Sequence, residues 1–196
     1  MKKGLALFDF DGTITVSDTF MEIIKHQKGA MRFYLGMIIL SPVLLLYKTK
    51  LIRNWRAKEI VLTFFFRGMT VAEFQQKCDE FIHDKLPYLI KKEALLKIDF
   101  HKNQQDRVVV VSASPRNWIE GWCKKMGIEL IATELDVREG QITGKLKSLN
   151  CYGQEKVNRI NAHLVLDDYE TIYAYGDTHG DKPMLALAHH AFYRTF

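Results

Sequence analysis

Two aspartates separated by one residue, Asp9 and Asp11, stand in the string DFDGT at the end of a short apolar run, residues 5–9 (LALFD). If that run is a strand, alternation through Phe10 turns both carboxylates to one side, and Gly12 lets the chain turn away. Acids so placed repel each other and cost stability, so a loop without a function would seldom keep both; a divalent cation makes them compatible. A second acidic pair, Asp177 and Asp181, lies in GDTHGDKPML after another apolar run, residues 171–176. Joined to Asp9, these carboxylates make a hard, oxygen-rich donor set of the kind that suits Mg²⁺. Ser112 closes the string RVVVVS just before a helix start, so its hydroxyl, the backbone N–H groups from Ala113 onward and the helix N-terminus favour an anion. Lys156 offers a point charge for phosphate, although by spacing alone it reads as a solvated helix lysine.

The elements around these residues predict how they are held. Residues 5–9 and 107–112 are apolar runs of the type buried on both faces of a parallel sheet. Ser114 then reads as a helix N-cap with Pro115 at the first helical position. Trp118, Ile119, Trp122, Cys123 and Met126 share one face, and Gly127 ends the helix. Further strands are expected at 128–133, 171–176 and 191–195, helices at 153–163 and 181–190, and a hairpin around Glu139-Gly140. Strands alternating with helices predict an α/β core with a Rossmann-like parallel sheet, whose strand C-termini are where such sheets bind ligands. Between residues 15 and 101 the alternation vanishes. Thr19 with Glu22, and Thr70 with Glu73, form capping-box patterns, and Phe74, Cys78, Phe81 and Ile82 recur at helical spacing as a packing stripe. The expected organisation is a core of residues 1–16 and 101–196, interrupted by an all-helical cap at 17–100.

The chain has 196 residues, 47% hydrophobic and 26% charged, which excludes a disordered protein. Three cysteines without a C-x-x-C pair exclude a disulfide framework or a zinc module, and point to a reducing, cytoplasmic location. The N-terminus lacks the pattern of a signal peptide and reads as a strand. His189 and His190 read as ordinary helix-end histidines, and His179 as a solvent-facing loop residue. The net charge of +5 is unevenly spread: the segment from Ile23 to Lys58 holds eight basic residues and no acid. Inside it lies an uncharged stretch of 15 residues, 33–47 (FYLGMIILSPVLLLY), interrupted by Gly36 and Pro42 and too short to cross a bilayer. Two readings stand side by side: a helical hairpin buried in a small domain, or an apolar surface framed by cations that makes a peripheral contact at the inner face of a membrane. The composition does not fit a nucleic-acid surface.

Together these motifs resemble those of the haloacid dehalogenase superfamily, and within it the phosphoserine-phosphatase-like branch, subfamily IB, with a helical cap between the first and second motifs. The resemblance spans residues 5–185 and implies a phosphatase. By it, Asp9 matches the nucleophile that forms a phosphoaspartate and Asp11 the general acid and base. Thr13, Ser112, Ala113 and Lys156 match the groups that orient the nucleophile and hold phosphate. Mg²⁺ is then expected on Asp9, the backbone carbonyl of Asp11, and Asp177, with Asp181 in support. The dehalogenases and P-type ATPases of this superfamily lack an acid two residues after the nucleophile, so Asp11 selects phosphate-ester chemistry. The expected substrate is a phosphorylated small molecule or a lipid head group. The apolar cap segment, Ser114-Pro115 and the string from Cys151 to Lys156 are similar to phosphatidylglycerophosphatase C, which adds a lipid phosphatase as an alternative. In phosphoserine phosphatases an Asn commonly stands at the position of Gly180, and a cap Arg has no counterpart here beyond the neighbours Arg53, Arg56 and Lys58. Phosphoserine phosphatase stays a second alternative, and a non-catalytic binding module a third.

Overall fold

The computed structural model describes residues 3–196; Met1 and Lys2, at the head of the expected core segment, lie outside the described residues. The chain opens with strand β1 (Leu5–Phe8). Six helices follow: α1 (Thr19–Lys28), α2 (Ala30–Ile39), α3 (Ser41–Lys48), α4 (Asn54–Phe66), α5 (Val71–Asp84) and α6 (Lys92–Asn103). Next come β2 (Arg107–Pro115), α7 (Glu120–Met126), β3 (Glu129–Thr133) and the hairpin β4 (Leu135–Arg138) and β5 (Gln141–Leu146). The chain then runs through α8 (Gln154–His163), β6 (Ile172–Gly176), α9 (Lys182–Leu185) and β7 (His190–Tyr193). Five strands form one parallel sheet in the order β3-β2-β1-β6-β7, as the Rossmann-like reading requires.

The apolar runs are explained by burial on both sides of this sheet. Leu5, Leu7, Val109 and Val111 feed one core, while Ala6, Phe8, Val108 and Val110 feed the other, which continues into the helical block through Phe20, Phe66, Phe74 and Phe81. Phe8 pairs with Val110 on one side and Tyr175 on the other, so the ends of β1, β2 and β6 are level. Strand order changes direction at β1, which makes its C-terminal end the switch point where open α/β sheets bind ligands.

Several local expectations are corrected. Pro115 does not open a helix: β2 runs through it with a register shift after Ser112, a short 3₁₀ turn follows, and α7 starts only at Glu120. Gly127, with φ 66°, ends α7 as expected. The first capping box is displaced by one residue, because Asp18 caps α1 by accepting from the Phe20 N–H, which frees Thr19 for another partner. Thr70 does cap α5 through the Glu73 N–H. The helix expected at 181–190 shrinks to α9, and its supposed end is extended chain: the His189 Nδ1 accepts from the Ile172 N–H at 2.9 Å and His190 begins β7.

The apolar cap segment is also resolved. Gly36 does not interrupt α2; it is buried where a Cβ would lie 2.4 Å from the Phe65 ring, so it permits close packing. The break falls at Leu40, with Pro42 in the first turn of α3, and the two helices meet at 62°. No single helix among the described residues is long and apolar enough to cross a membrane. The buried-hairpin reading is corrected, because among the described residues nothing covers the outer face: Tyr34, Leu35, Ile38, Ile39, Leu45 and Leu46 are exposed and α3 buries no residue.

The β4–β5 hairpin turns at Glu139-Gly140, both at positive φ, and lies along α4. The Gly68 N–H donates to the Ile142 carbonyl and the Val71 N–H to that of Gly140. Gly144 meets Thr63 so closely that a Cβ would stand 2.3 Å from the Thr63 Cα. The helical block is thus strapped to the sheet domain at a second place, far along the sequence from its two linkers.

Candidate active site

The sheet delivers its chemistry at three strand ends. Asp9 follows β1, and its N–H still completes the ladder by donating to the Tyr175 carbonyl at 2.9 Å. Gly12, at φ +85°, then turns the chain under Asp177; a Cβ there would stand 2.3 Å from the Asp177 Oδ2, so no other residue fits without displacing that carboxylate. Asp177 follows β6, and Ser112 and Ser114 lie at the end of β2.

Lys156 is the hub. It projects from the first turn of α8 into the interior, only 1% exposed, and its Nζ donates to Asp9 Oδ1 at 2.5 Å, Asp181 Oδ1 at 2.7 Å and the Val111 carbonyl at 2.7 Å. The solvated-lysine reading is therefore wrong. Burial alone would lower its pKa, but the charges of Asp9 and Asp181 outweigh burial and hold the ammonium above its ordinary range. Asp181 is held below the usual carboxylate range, because Lys156 and the Thr178 donors overcome its burial. Asp9 goes the other way: burial, with the charges of Asp181 and Asp11, outweighs Lys156 and pushes it up to about 7. Burial and Asp181 also raise Asp177. Thr13 bridges two of these acids, its hydroxyl 3.3 Å from Asp9 Oδ2 and 3.2 Å from Asp177 Oδ1.

Asp11 has a separate environment. Its Oδ1 accepts from the Thr19 N–H at 2.7 Å and the Thr19 hydroxyl at 2.5 Å, at the N-terminus of α1. Its Oδ2 accepts from the Ser114 hydroxyl at 2.7 Å and from Ser112 at 3.5 Å. Trp118 Nε1 fixes the Thr19 hydroxyl in turn. Sequence reasoning assigned Ser114 and Thr19 to helix capping and missed this pair; once the caps shift by a few residues, both hydroxyls become available. Ser112 is fully buried, with its Oγ accepting from the Ser114 N–H.

Asp9, Asp11, Ala113, Lys156, Asp177 and Asp181 all line one cavity of about 500 Å³ between the sheet ends and the helical block. Its far wall comes from that block: Asp18, Phe20, Leu44, Tyr47, Ala57 and Lys58. Lys58 is a third residue that sequence reasoning left out of the site. Its Nζ donates to the Ala113 carbonyl at 2.9 Å, and burial lowers its pKa against the opposing pull of Asp18 and Asp11. Burial and the Asp11 charge push Asp18 up to about 6. Gly180 packs under the Tyr152 ring, where a Cβ would be 2.1 Å away, which accounts for the absence of a larger residue there. One oxygen from each of Asp9, Asp177 and Asp181 falls within 4.8 Å of the others.

The family model of the haloacid dehalogenase-like hydrolases matches residues 6–186. The chain belongs to this family. Protein CicA of Caulobacter vibrioides is 34% identical over 194 residues, which cover 98% of this chain and 86% of that protein. A probable phosphatase of Mycobacterium tuberculosis is 34% identical over 133 residues, 66% of this chain and 46% of that protein, so the match spans under half of that relative's length. Phosphoserine phosphatase shares the fold along nearly the whole chain. Its apo form has a TM-score of 0.65 at 18% identity, covering 95% of this chain and 84% of that one. Its phospho-aspartyl intermediate analogue has a TM-score of 0.60 at 19% identity, covering 96% and 84%. The resemblance drawn from the motifs thus holds: the chain is a haloacid dehalogenase-like hydrolase.

Proposed function

We propose that the protein is a Mg²⁺-dependent phosphomonoesterase that works through a phosphoaspartate on Asp9. The observation that carries this is the pairing of two acids in one cavity with opposite surroundings: Asp9 is gripped by a buried ammonium and Asp11 by hydroxyls and a helix N-terminus.

The donor set fits a hard divalent cation. Three carboxylates converge on one place while a single buried ammonium opposes them, and burial together with this negative charge raises Asp9 and Asp177. Asp9, the Asp11 backbone carbonyl and Asp177 would hold Mg²⁺, with Asp181 in support. When bound, the ion neutralises charge on the phosphoryl oxygens.

The chain's own residues do the rest. A carboxylate oxygen of Asp9 attacks phosphorus, an Asp9–phosphorus bond forms, and the ester P–O bond breaks as Asp11 gives its proton to the departing alkoxide. Asp11, now a carboxylate, takes a proton from water, whose oxygen attacks phosphorus and releases inorganic phosphate and free Asp9. The Ser114 hydroxyl can rotate to donate to, or accept from, Asp11 Oδ2, so it holds the side chain in both protonation states. Ser112, the Ala113 backbone, Thr13 and Lys156 hold the phosphoryl group and the nucleophile. Ser114→Ala is expected to lower kcat about tenfold with KM little changed, since it loosens the proton donor and not the phosphate site. Steady-state kinetics on an alkyl phosphate monoester, whose leaving group needs the proton that an aryl phosphate does not, checks this.

Hydrolysis of the aryl phosphate should require Mg²⁺ and stop on EDTA; equal turnover in both would overturn the metal reading. Stability gives an independent readout. Because folding raises the Asp9 pKa from 3.8 to about 7, the metal-free folded state keeps a proton that the unfolded chain has lost. Stability from this group is therefore full below pH 4 and is lost as pH rises to about 7. Mg²⁺ is expected to raise Tm more at pH 7.5 than at pH 5, roughly as linkage to an ion that binds only the folded state requires.

A further inference from the structure

The α2–α3 hairpin carries apolar side chains on its inner and its outer face, with Arg32 and Lys48 as its charged residues. Phe33, Met37 and Leu40 pack inward, while Met31, Tyr34, Leu35 and Ile38, at helical spacing, face solvent, with Met31 74% and Ile38 68% exposed. In α3 nothing is buried, and Leu45, Leu46, Tyr47 and the following Leu51 extend the patch. A helix without a polar face belongs in a core or a membrane, and a contiguous apolar surface marks an interaction site.

Charge identifies the occupant. Lys25, Arg32, Lys48, Lys50 and Arg53 are exposed around the patch and, among the described residues, form no ion pair. No acid occurs between Ile23 and Lys58. A second copy of the chain is a poor partner, because a two-fold contact through this face sets two basic segments against each other. An anionic bilayer matches both features: the apolar side chains enter the boundary between head groups and acyl chains, and the cations stay at the phosphate level. The 62° bend divides the apolar stretch into two short helices, neither of which is long enough to span a bilayer alone.

We propose that this hairpin docks the protein on an anionic membrane surface. Leu44 and Tyr47 of the same hairpin line the site cavity, so docking brings the cavity to the bilayer and makes a phosphate monoester on a lipid head group its substrate class. That substrate class rests on the phosphatase reading; the docking does not.

Flotation with vesicles of phosphatidylcholine, with and without phosphatidylglycerol, tests the docking. At least about tenfold more protein is expected on the anionic vesicles at low salt, with the excess shrinking at moderate salt. The double substitution Ile38→Glu/Leu45→Glu, at outward positions, should cut recovery at least about tenfold and leave hydrolysis of a soluble aryl phosphate unchanged. Equal recovery on neutral vesicles, or no loss in the variant, overturns the proposal. So does a dimer that the variant converts to monomer with no vesicle recovery in either. Phosphate release from phosphatidic acid in the anionic vesicles should be at least about tenfold faster for the parent than for the variant; equal rates remove the lipid substrate. Failure of both proteins on the aryl phosphate would instead remove the phosphatase reading and leave the docking standing.

Discussion

Asp9→Asn is expected to lower turnover of an aryl phosphate by at least about a thousandfold while the protein stays folded. The amide has nearly the shape of the carboxylate and keeps an oxygen to accept from Lys156, whose second carboxylate, Asp181, remains in place at 2.7 Å. What is lost is the nucleophilic oxygen, and no other described carboxylate has both the strand-end position and the Lys156 contact of Asp9. Asp11→Asn should behave differently. An aryl leaving group departs without a proton, so the first step continues, while hydrolysis of the intermediate lacks its base. A burst of one phenolate per site, followed by slow turnover, is the expected trace in stopped-flow. Residual activity of Asp9→Asn within tenfold of the parent would sink the phosphoaspartate mechanism.

Lys156→Met has the largest expected effect on stability. The side chain is fully enclosed and neutralises Asp9 and Asp181 at once; methionine fills similar volume but leaves both acids buried without their cation. Breaking a buried ionic cluster by removing one partner costs about 3–5 kcal/mol. Urea unfolding at neutral pH without metal should show a loss of that order, partly recovered by Mg²⁺ and by lowering the pH, since each removes negative charge from the cluster. Turnover should also vanish. A loss under about 1 kcal/mol would mean that the acids find other compensation and that Lys156 is not the hub the geometry indicates.

The order of elements and the position of the first acids were legible because they depend on local patterns. Continuous apolar runs at 5–8 and 108–111 can only be buried on both faces, and a sheet covered on both faces by helices is parallel. Asp9 and Asp177 could be picked out because each follows a strand directly, and Asp11 and Asp181 because each lies a few residues beyond one of them. Lys156 was visible only through resemblance, since a lysine in the first turn of a helix is ordinarily solvated; the contacts that bury it come from residues 25 and 147 positions away.

Other features had no local signal. Ser114 and Thr19 carry helix-cap chemistry in sequence, and whether such a hydroxyl caps a helix or holds a carboxylate depends on where the neighbouring strand ends, which is set by pairing with β3. Lys58 joins the site because α4 lies across the strand ends, and the β4–β5 strap on α4 is fixed by the close meeting of Gly144 and Thr63. The apolar stretch at 33–47 read equally well as core or as surface, because hydrophobicity measures a tendency to leave water and not the partner that provides shelter. By itself the sequence determined the sheet, the helical insertion and the acids of the site. Tertiary packing alone decided which cation and hydroxyls serve those acids, and that the outer face of the cap hairpin has no cover among the described residues, since long-range contacts choose among partners that local chemistry leaves equivalent.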